Sequence, residues 1–256
     1  MRVKMSECNA FGQSNAIIYL ATCDPRMGSA EAAELVFSAL EQVGFGLDRY
    51  NNVEPVNIPF TREGATQMYI SGTTYTRPGY RDTGNIFFGK HARPGVELTV
   101  QWNISSDIAC LSVIKITLTK KQLMKSMKRC MELLRNLIQI FHPAYALVGT
   151  RDAYWRQCGK MWMGIPGLYW LNYFGKEFID FIGADHILGC GWERTESFTD
   201  GIFAWTAPSI DLPEDEIKAN EKKYKERLGS QHFSSPGKYS EAAPPVFMEM
   251  REKICQ

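Results

Sequence analysis

The chain has 256 residues, a formal net charge of +1, and ordinary globular proportions of hydrophobic (45%) and charged (22%) residues. A chain of this length buries about three quarters of its unfolded surface, which is enough for one large domain. The near-zero net charge argues against a strongly basic nucleic-acid binder and against an acidic mimic of DNA. A strongly charged partner would therefore have to bind a local patch of opposite charge.

The cysteines and the apolar runs bear on the compartment. The seven cysteines are odd in number and form no C-x-x-C pair, which indicates reduced thiols and gives no zinc-site spacing. The apolar run at residues 16–21 is shorter than the ~7–15 residues of a signal-peptide core. The longest uncharged windows are shorter than the ~20 residues that a membrane-spanning helix needs. We expect a cytoplasmic protein without membrane contact.

The first half of the chain contains clear elements separated by a long irregular stretch. Residues 16–21 predict a buried strand, and Ser29 is the predicted N-cap of a helix that ends at Gly44. The pattern weakens over residues 51–95, and Thr, Arg, Pro and Gly accumulate around residues 74–81, which predicts a long exposed loop or an irregular hairpin there. Alternating residues then predict an antiparallel strand pair over residues 96–104 and 111–118.

The second half begins with the best helix. Thr119 and Gln122 form a capping box, and apolar residues then follow at helical spacing through residues 120–141. The remaining predicted elements, in chain order, are strands at 145–149 and 168–174, a short helix at 176–182, strands at 190–197 and 201–207, a helix at 211–228 capped by Asp211, and an extended arm at 229–256. We predict one α+β domain over residues 1–256, a mostly antiparallel sheet covered by helices, in an order that allows two similar halves.

Residues 166–175 read Pro-Gly-Leu-Tyr-Trp-Leu-Asn-Tyr-Phe-Gly. This segment, with the short helix that follows it to Gly183, resembles the Immunity protein 52 family; related type VI secretion immunity families are close competitors. The resemblance implies a non-enzymatic cytosolic immunity protein that needs no cofactor or metal. The implied partner is one cognate secreted toxin, a restriction-endonuclease-like nuclease, and the implied mode of action involves neither direct nucleic-acid binding nor a membrane.

An acid-rich region supplies the first candidate binding site. Between Glu193 and Glu216 seven acids face one cation, Arg194, although a helix N-terminus alone would favour the last three acids. A toxin that grips DNA presents cations, so acids on an inhibitor would steer association. The residues predicted to bind the toxin are Glu193, Glu196, Asp200, Glu214, Asp215 and Glu216; an alternative toxin-binding loop contains Arg77, Tyr80, Arg81, Phe87 and Phe88.

Two other functions compete with the immunity hypothesis. The first is a cytosolic thiol hydrolase in which His186 activates Cys190, although the glycines around these residues are also typical of turns bounding a strand. The second is a nucleic-acid-binding module that uses the basic 120–129 face of the long helix. A solvated helix face explains those cations equally, because no base-reading or stacking side chains interleave with them.

Overall fold

The computed structural model describes residues 15–76, 83–93, 95–106, 109–157, 165 and 167–233. In this part of the chain eleven strands form one sheet, and every pair of neighbouring strands is antiparallel. The strands are β1 (Asn15–Thr22), β2 (Arg49–Asn51), β3 (Ile58–Pro59), β4 (Thr74–Thr76), β5 (Thr83–His91), β6 (Val96–Ser106), β7 (Ala109–Thr119), β8 (Tyr145–Thr150), β9 (Leu171–Phe174), β10 (Arg194–Phe198) and β11 (Gly201–Trp205). Their order across the sheet is β10-β11-β9-β8-β1-β7-β6-β5-β2-β3, and β4 also pairs with β5.

Helices pack on both faces of this sheet. They are α1 (Ala30–Gln42), α2 (Arg62–Ser71), α3 (Lys120–Lys125), α4 (Met127–Phe141), α5 (Arg151–Gln157), α6 (Lys176–Ile182), α7 (Ala184–Gly189) and α8 (Glu214–Leu228). None of these described helices is long and apolar enough to cross a membrane. The fold is α+β with an antiparallel sheet, as the sequence predicted.

The first face of the sheet is covered over most of its width by α1 to α4. Alternate strand residues point to each side, so Ile18 and Leu20 of β1 enter this first core while Ala21 enters a second one. The first core also contains residues of β5, β6, β7, β8, β9 and β11, and it packs against the apolar sides of α1 and α4. Burial of this continuous apolar surface is the main stabilising term of the fold.

The second face is covered over only part of its width. Helices α5 to α8 pack there against β1, β8, β9 and β11. Every described strand residue in the second core comes from one of these four strands. No described residue of β5, β6 or β7 belongs to that core. One half of the second face is therefore left without a helical layer from the described part of the chain, and we call it the open face.

Several predicted boundaries needed correction. The predicted helix over residues 120–141 is interrupted at Ser126, so the capping box of Thr119 and Gln122 starts the short α3. The weak pattern of residues 51–95 predicted none of β3, α2 and β5, whereas the antiparallel pairing of β4 with β5 agrees with the irregular hairpin predicted around residues 74–81. Asp211 does not cap α8, because its carboxylate is paired with Lys120 and Pro213 occupies the N-cap position without a side-chain bond.

The strand predicted at residues 168–174, in the segment that resembles the Immunity protein 52 family, is shorter in the structure. Trp170 precedes β9, packs against the first core and donates from its indole nitrogen to the Ala207 carbonyl at 3.0 Å, whereas Phe174 lies in the second core. The two aromatic side chains thus face opposite sides of the sheet, because the chain bends before the strand begins. The predicted arm also starts differently, since residues 230–232 form a short 3-10 helix and Phe233 pairs with Ile165. Residues 234–256 lie outside the described residues.

Candidate protein-binding site

The six acidic residues predicted to bind a toxin lie in three separate places. Glu193 directly precedes β10 and Glu196 lies within it, and both are beside α4. Asp200 lies in the turn between β10 and β11, where its carboxylate is 3.3 Å from the Tyr173 hydroxyl. The remaining three, at positions 214–216, form the first turn of α8. The acid-rich region along the chain is therefore not one surface patch.

Cations from distant parts of the chain neutralise some of these acids. Arg135 of α4 contacts Glu196 at 2.6 Å, and Arg194 contacts the same carboxylate at 3.0 Å. Glu214 is paired with Lys218 at 2.9 Å, and that hydrogen bond lowers the pKa of Glu214. Glu193, Asp215 and Glu216 are exposed and have no ion pair within the described ranges. Their contact with a toxin stays a prediction.

The alternative toxin-binding loop is only partly described, and the described part is not a loop. Arg77, Tyr80 and Arg81 lie outside the described residues. The prediction of an exposed loop is wrong for the two phenylalanines, because both lie in β5. Phe87 is 0% exposed and packs 5.5 Å from the rings of both Phe37 and Tyr69, so its side chain cannot reach a partner in the folded state. Phe88 points to the open face.

The geometry gives no support to a thiol hydrolase at Cys190. The thiol donates to the His186 carbonyl at 3.2 Å, while the imidazole Nε2 of His186 lies 3.1 Å from the Leu228 carbonyl. Burial raises the pKa of the Cys190 thiol, which disfavours the nucleophilic thiolate. The described residues also contain no group of three or more His, Cys, Asp or Glu that could hold a metal ion.

The cations of α3 and α4 are arranged as expected for a helix face that contacts solvent. Lys120 is paired with Asp211, while Lys121, Lys125, Lys128 and Arg129 are exposed. No aromatic residue lies among these cations in the sequence. Lysines without stacking or base-reading side chains are weak evidence for nucleic-acid recognition.

The open face contains a cavity of about 650 Å³ that no sequence motif predicted. We call it the open-face cavity. Its floor is formed by β1, β5, β6 and β7, and its walls by α5 and the segment that follows β2. The lining combines aromatic, charged and hydroxyl side chains: Ile17, Glu54, Phe88, Lys90, Glu97, Thr99, Lys115, Thr117, Arg151, Tyr154 and Trp155.

Charge and exposure distinguish two parts of this cavity. On the floor Lys90 lies 3.6 Å from Glu97, so these two charges largely cancel. On the wall Arg151 is exposed, and Trp155 is 55% exposed. Aromatic side chains are enriched at protein interfaces relative to the rest of the surface. The open-face cavity therefore combines a recess with an aromatic rim.

A second recess of about 540 Å³ lies on the first face, between α4 and the β10–β11 hairpin. Met127, Met131, Trp170 and Trp205 line it, together with Glu193 at its edge. The arginines at this groove are engaged within the molecule, because both bind Glu196 and Arg194 also stacks over Trp205 at 4.6 Å. This groove is apolar, but its cations already have partners.

A signal for the open face exists in β6, although it is ambiguous. Buried Leu98 and Val100 alternate with Glu97, Thr99 and Gln101, which predicts one apolar and one polar face. Every half-solvated antiparallel strand shows that pattern. Only the strand order and the placement of α5 show that the polar side borders a recess.

Comparisons with known proteins show the fold. No protein-family model matches the chain, and no curated protein matches its sequence. Among solved structures, the Pseudomonas aeruginosa T6SS protein PA0821 is similar to this chain, with a TM-score of 0.53 and 12% sequence identity over 94% of this chain and 81% of that one. The predicted membership of the Immunity protein 52 family is therefore not established. The chain has the fold of a protein of a type VI secretion system (T6SS).

Proposed function

We propose that this chain is an immunity-type protein, which binds a toxin of a type VI secretion system in the cytoplasm of the producing cell and neutralises it. The finer part of the proposal, that the toxin is a restriction-endonuclease-like nuclease, rests on the resemblance of residues 166–175 to the Immunity protein 52 family. The likeness of fold to a T6SS protein supports the association with type VI secretion.

The observation that carries the proposal is the open-face cavity with its exposed rim. A protein that acts by binding needs a shaped surface with a few large anchors, and tryptophan and arginine are the side chains most often found as such anchors. Trp155 and Arg151 lie together at the cavity wall. The described helices also leave half of the second sheet face without the layer that covers its other half, and a partner could bind this broad surface.

Binding to the toxin and protection from it test the proposal directly. The probe is the protein encoded by the reading frame immediately upstream of this gene, purified with its nuclease activity blocked. We expect a stable complex with a dissociation constant in the nanomolar range by calorimetry, and we expect co-expression of this chain to abolish the toxicity of the active protein.

An enzyme would behave differently in the same assays. If this chain relieved toxicity without forming a complex, it would act by modifying or degrading the toxin, and the immunity proposal would be wrong. If it neither bound the upstream product nor protected cells from it, the proposed partnership would be excluded. If this chain bound the upstream product without protecting cells from it, the proposed neutralisation of the toxin would be wrong and only the proposed binding would be supported.

A further inference from the structure

Arg151 occupies a position that is locally unfavourable. It is the first residue of α5, where the positive end of the helix dipole repels a cation and favours an acid such as the adjacent Asp152. Its side chain is exposed, and among the described residues no carboxylate forms an ion pair with it. Residues that break a local rule without a visible structural gain are frequently retained for function. The missing partner of Arg151 is therefore expected on another molecule.

Trp155 lies one helical turn after Arg151, so the two side chains are neighbours on one side of α5. We call this pair the α5 ridge. The indole packs edge-on against Tyr154, with ring centroids 5.6 Å apart at an interplanar angle of 80°. Both residues of the ridge line the open-face cavity. The ridge thus places a guanidinium and a half-exposed indole side by side at the edge of a recess.

The rest of α5 is held firmly against the protein. Arg156 donates to both carboxylate oxygens of Glu221 in α8. Gln157 donates to the Leu168 carbonyl at 2.6 Å and accepts from the Leu168 amide at 3.2 Å. These bonds fix the helix before any partner arrives. A rigid presentation reduces the entropy lost on association, which favours an anchor role.

We propose that the α5 ridge is the anchor through which this chain holds its toxin, and that the toxin surface contacted there carries carboxylates beside an apolar pocket for the indole. This inference rests on the proposed function. A guanidinium recognises a carboxylate through two parallel hydrogen bonds, and such pairing is stronger than a contact with a neutral acceptor. The toxin surface is therefore acidic at this site, opposite in sign to the partner that the acid-rich sequence region predicted.

Affinities of single variants for the purified upstream product test the ridge. Arg151→Glu and Trp155→Ala should each weaken binding by about 30-fold or more, the loss typical of an interface hot spot. Arg151→Lys should fall between the wild type and Arg151→Glu, because an ammonium keeps the charge and loses the paired hydrogen bonds. Matched controls are Arg129→Glu, an exposed helical cation on α4, and Leu188→Ala, 44% exposed on α7. Both controls should bind like the wild type.

The outcomes separate this inference from the proposed function. All variants should keep the wild-type circular dichroism spectrum, since both ridge side chains are exposed. If the wild type binds and Arg151→Glu and Trp155→Ala bind equally well, the proposed role of the α5 ridge is wrong, whereas the proposed immunity function is unaffected. Tighter binding by Arg151→Glu would show that the contacted surface is cationic and would also overturn it. Absence of binding by the wild type would overturn the proposed function and the ridge together.

Discussion

Arg156 and Glu221 form an ion pair in which both guanidinium Nη atoms contact the carboxylate and the Glu221 side chain is only 7% exposed. The pair joins α5 to α8 across 65 residues of sequence. Because α8 packs on the second core through Tyr224 and Leu228, the pair also fixes α5 relative to the sheet. The position of the α5 ridge thus depends on a contact made by its neighbouring residue.

Removing Arg156 should destabilise the protein. In Arg156→Met the Glu221 carboxylate stays buried without its partner, which costs about 3 kcal/mol, the lower end of the range for breaking a buried pair because Arg156 is partly exposed. Urea denaturation measures the change. The double variant Arg156→Met, Glu221→Met should recover much of the loss, since the buried carboxylate is removed together with its partner. A single variant with wild-type stability would show that water solvates Glu221.

Phe87 and Phe88 should differ sharply in their contribution to stability. Phe87→Ala removes a completely buried ring from the aromatic cluster of the first core and should cost about 3–5 kcal/mol. Phe88→Ala, on the open face, should cost about 1 kcal/mol or less. The melting temperatures of the two variants, each compared with the wild type, measure the two losses of stability. Similar small losses for both would mean that Phe87 is accessible, and the loop hypothesis would regain its anchor.

The three acids without ion pairs allow a test of the acid-rich region. Because cations pair with Glu196 and Glu214 and the proposed anchor is itself a cation, we expect little steering by acids. Changing Glu193, Asp215 and Glu216 together to lysine should alter the association rate with the upstream product by less than about threefold at physiological salt. Stopped-flow fluorescence measures that rate. A decrease of roughly one to three decades, largest at low salt, would instead support electrostatic steering by these acids.

Cys190 should react slowly with iodoacetamide. Cys190 is 4% exposed, and burial raises the pKa of its thiol, so the thiolate fraction and the access of the reagent are both reduced at neutral pH. We expect alkylation about tenfold or more slower than that of a free thiol, with full reaction only after unfolding. Peptide mass spectrometry follows each cysteine separately. Rapid and selective labelling of Cys190 in the folded protein would revive the thiol-hydrolase alternative.

Local sequence information was sufficient for the elements with strong patterns of their own. The apolar run of β1, the Ser29 cap of α1 and the Thr119–Gln122 capping box each act within a few residues, so their signals survive without tertiary context. The same holds for the β10–β11 hairpin, since the strands predicted at residues 190–197 and 201–207 overlap β10 and β11, which pair with each other. These elements together were enough to predict an antiparallel α+β fold.

The candidate site depended on contacts between residues that are far apart in the sequence. Arg135 and Lys120 reach acids that look unpaired along the chain, because packing of α3 and α4 brings them beside β10 and the segment after β11. Helix α5 was not predicted because Ala153 is its only fully buried apolar residue, so its sequence carries a weak amphipathic pattern. The sequence by itself determined which strand residues are apolar and which are polar. Only the tertiary structure decided which polar face the described helices leave uncovered, since helix coverage depends on strand order and on where each helix packs.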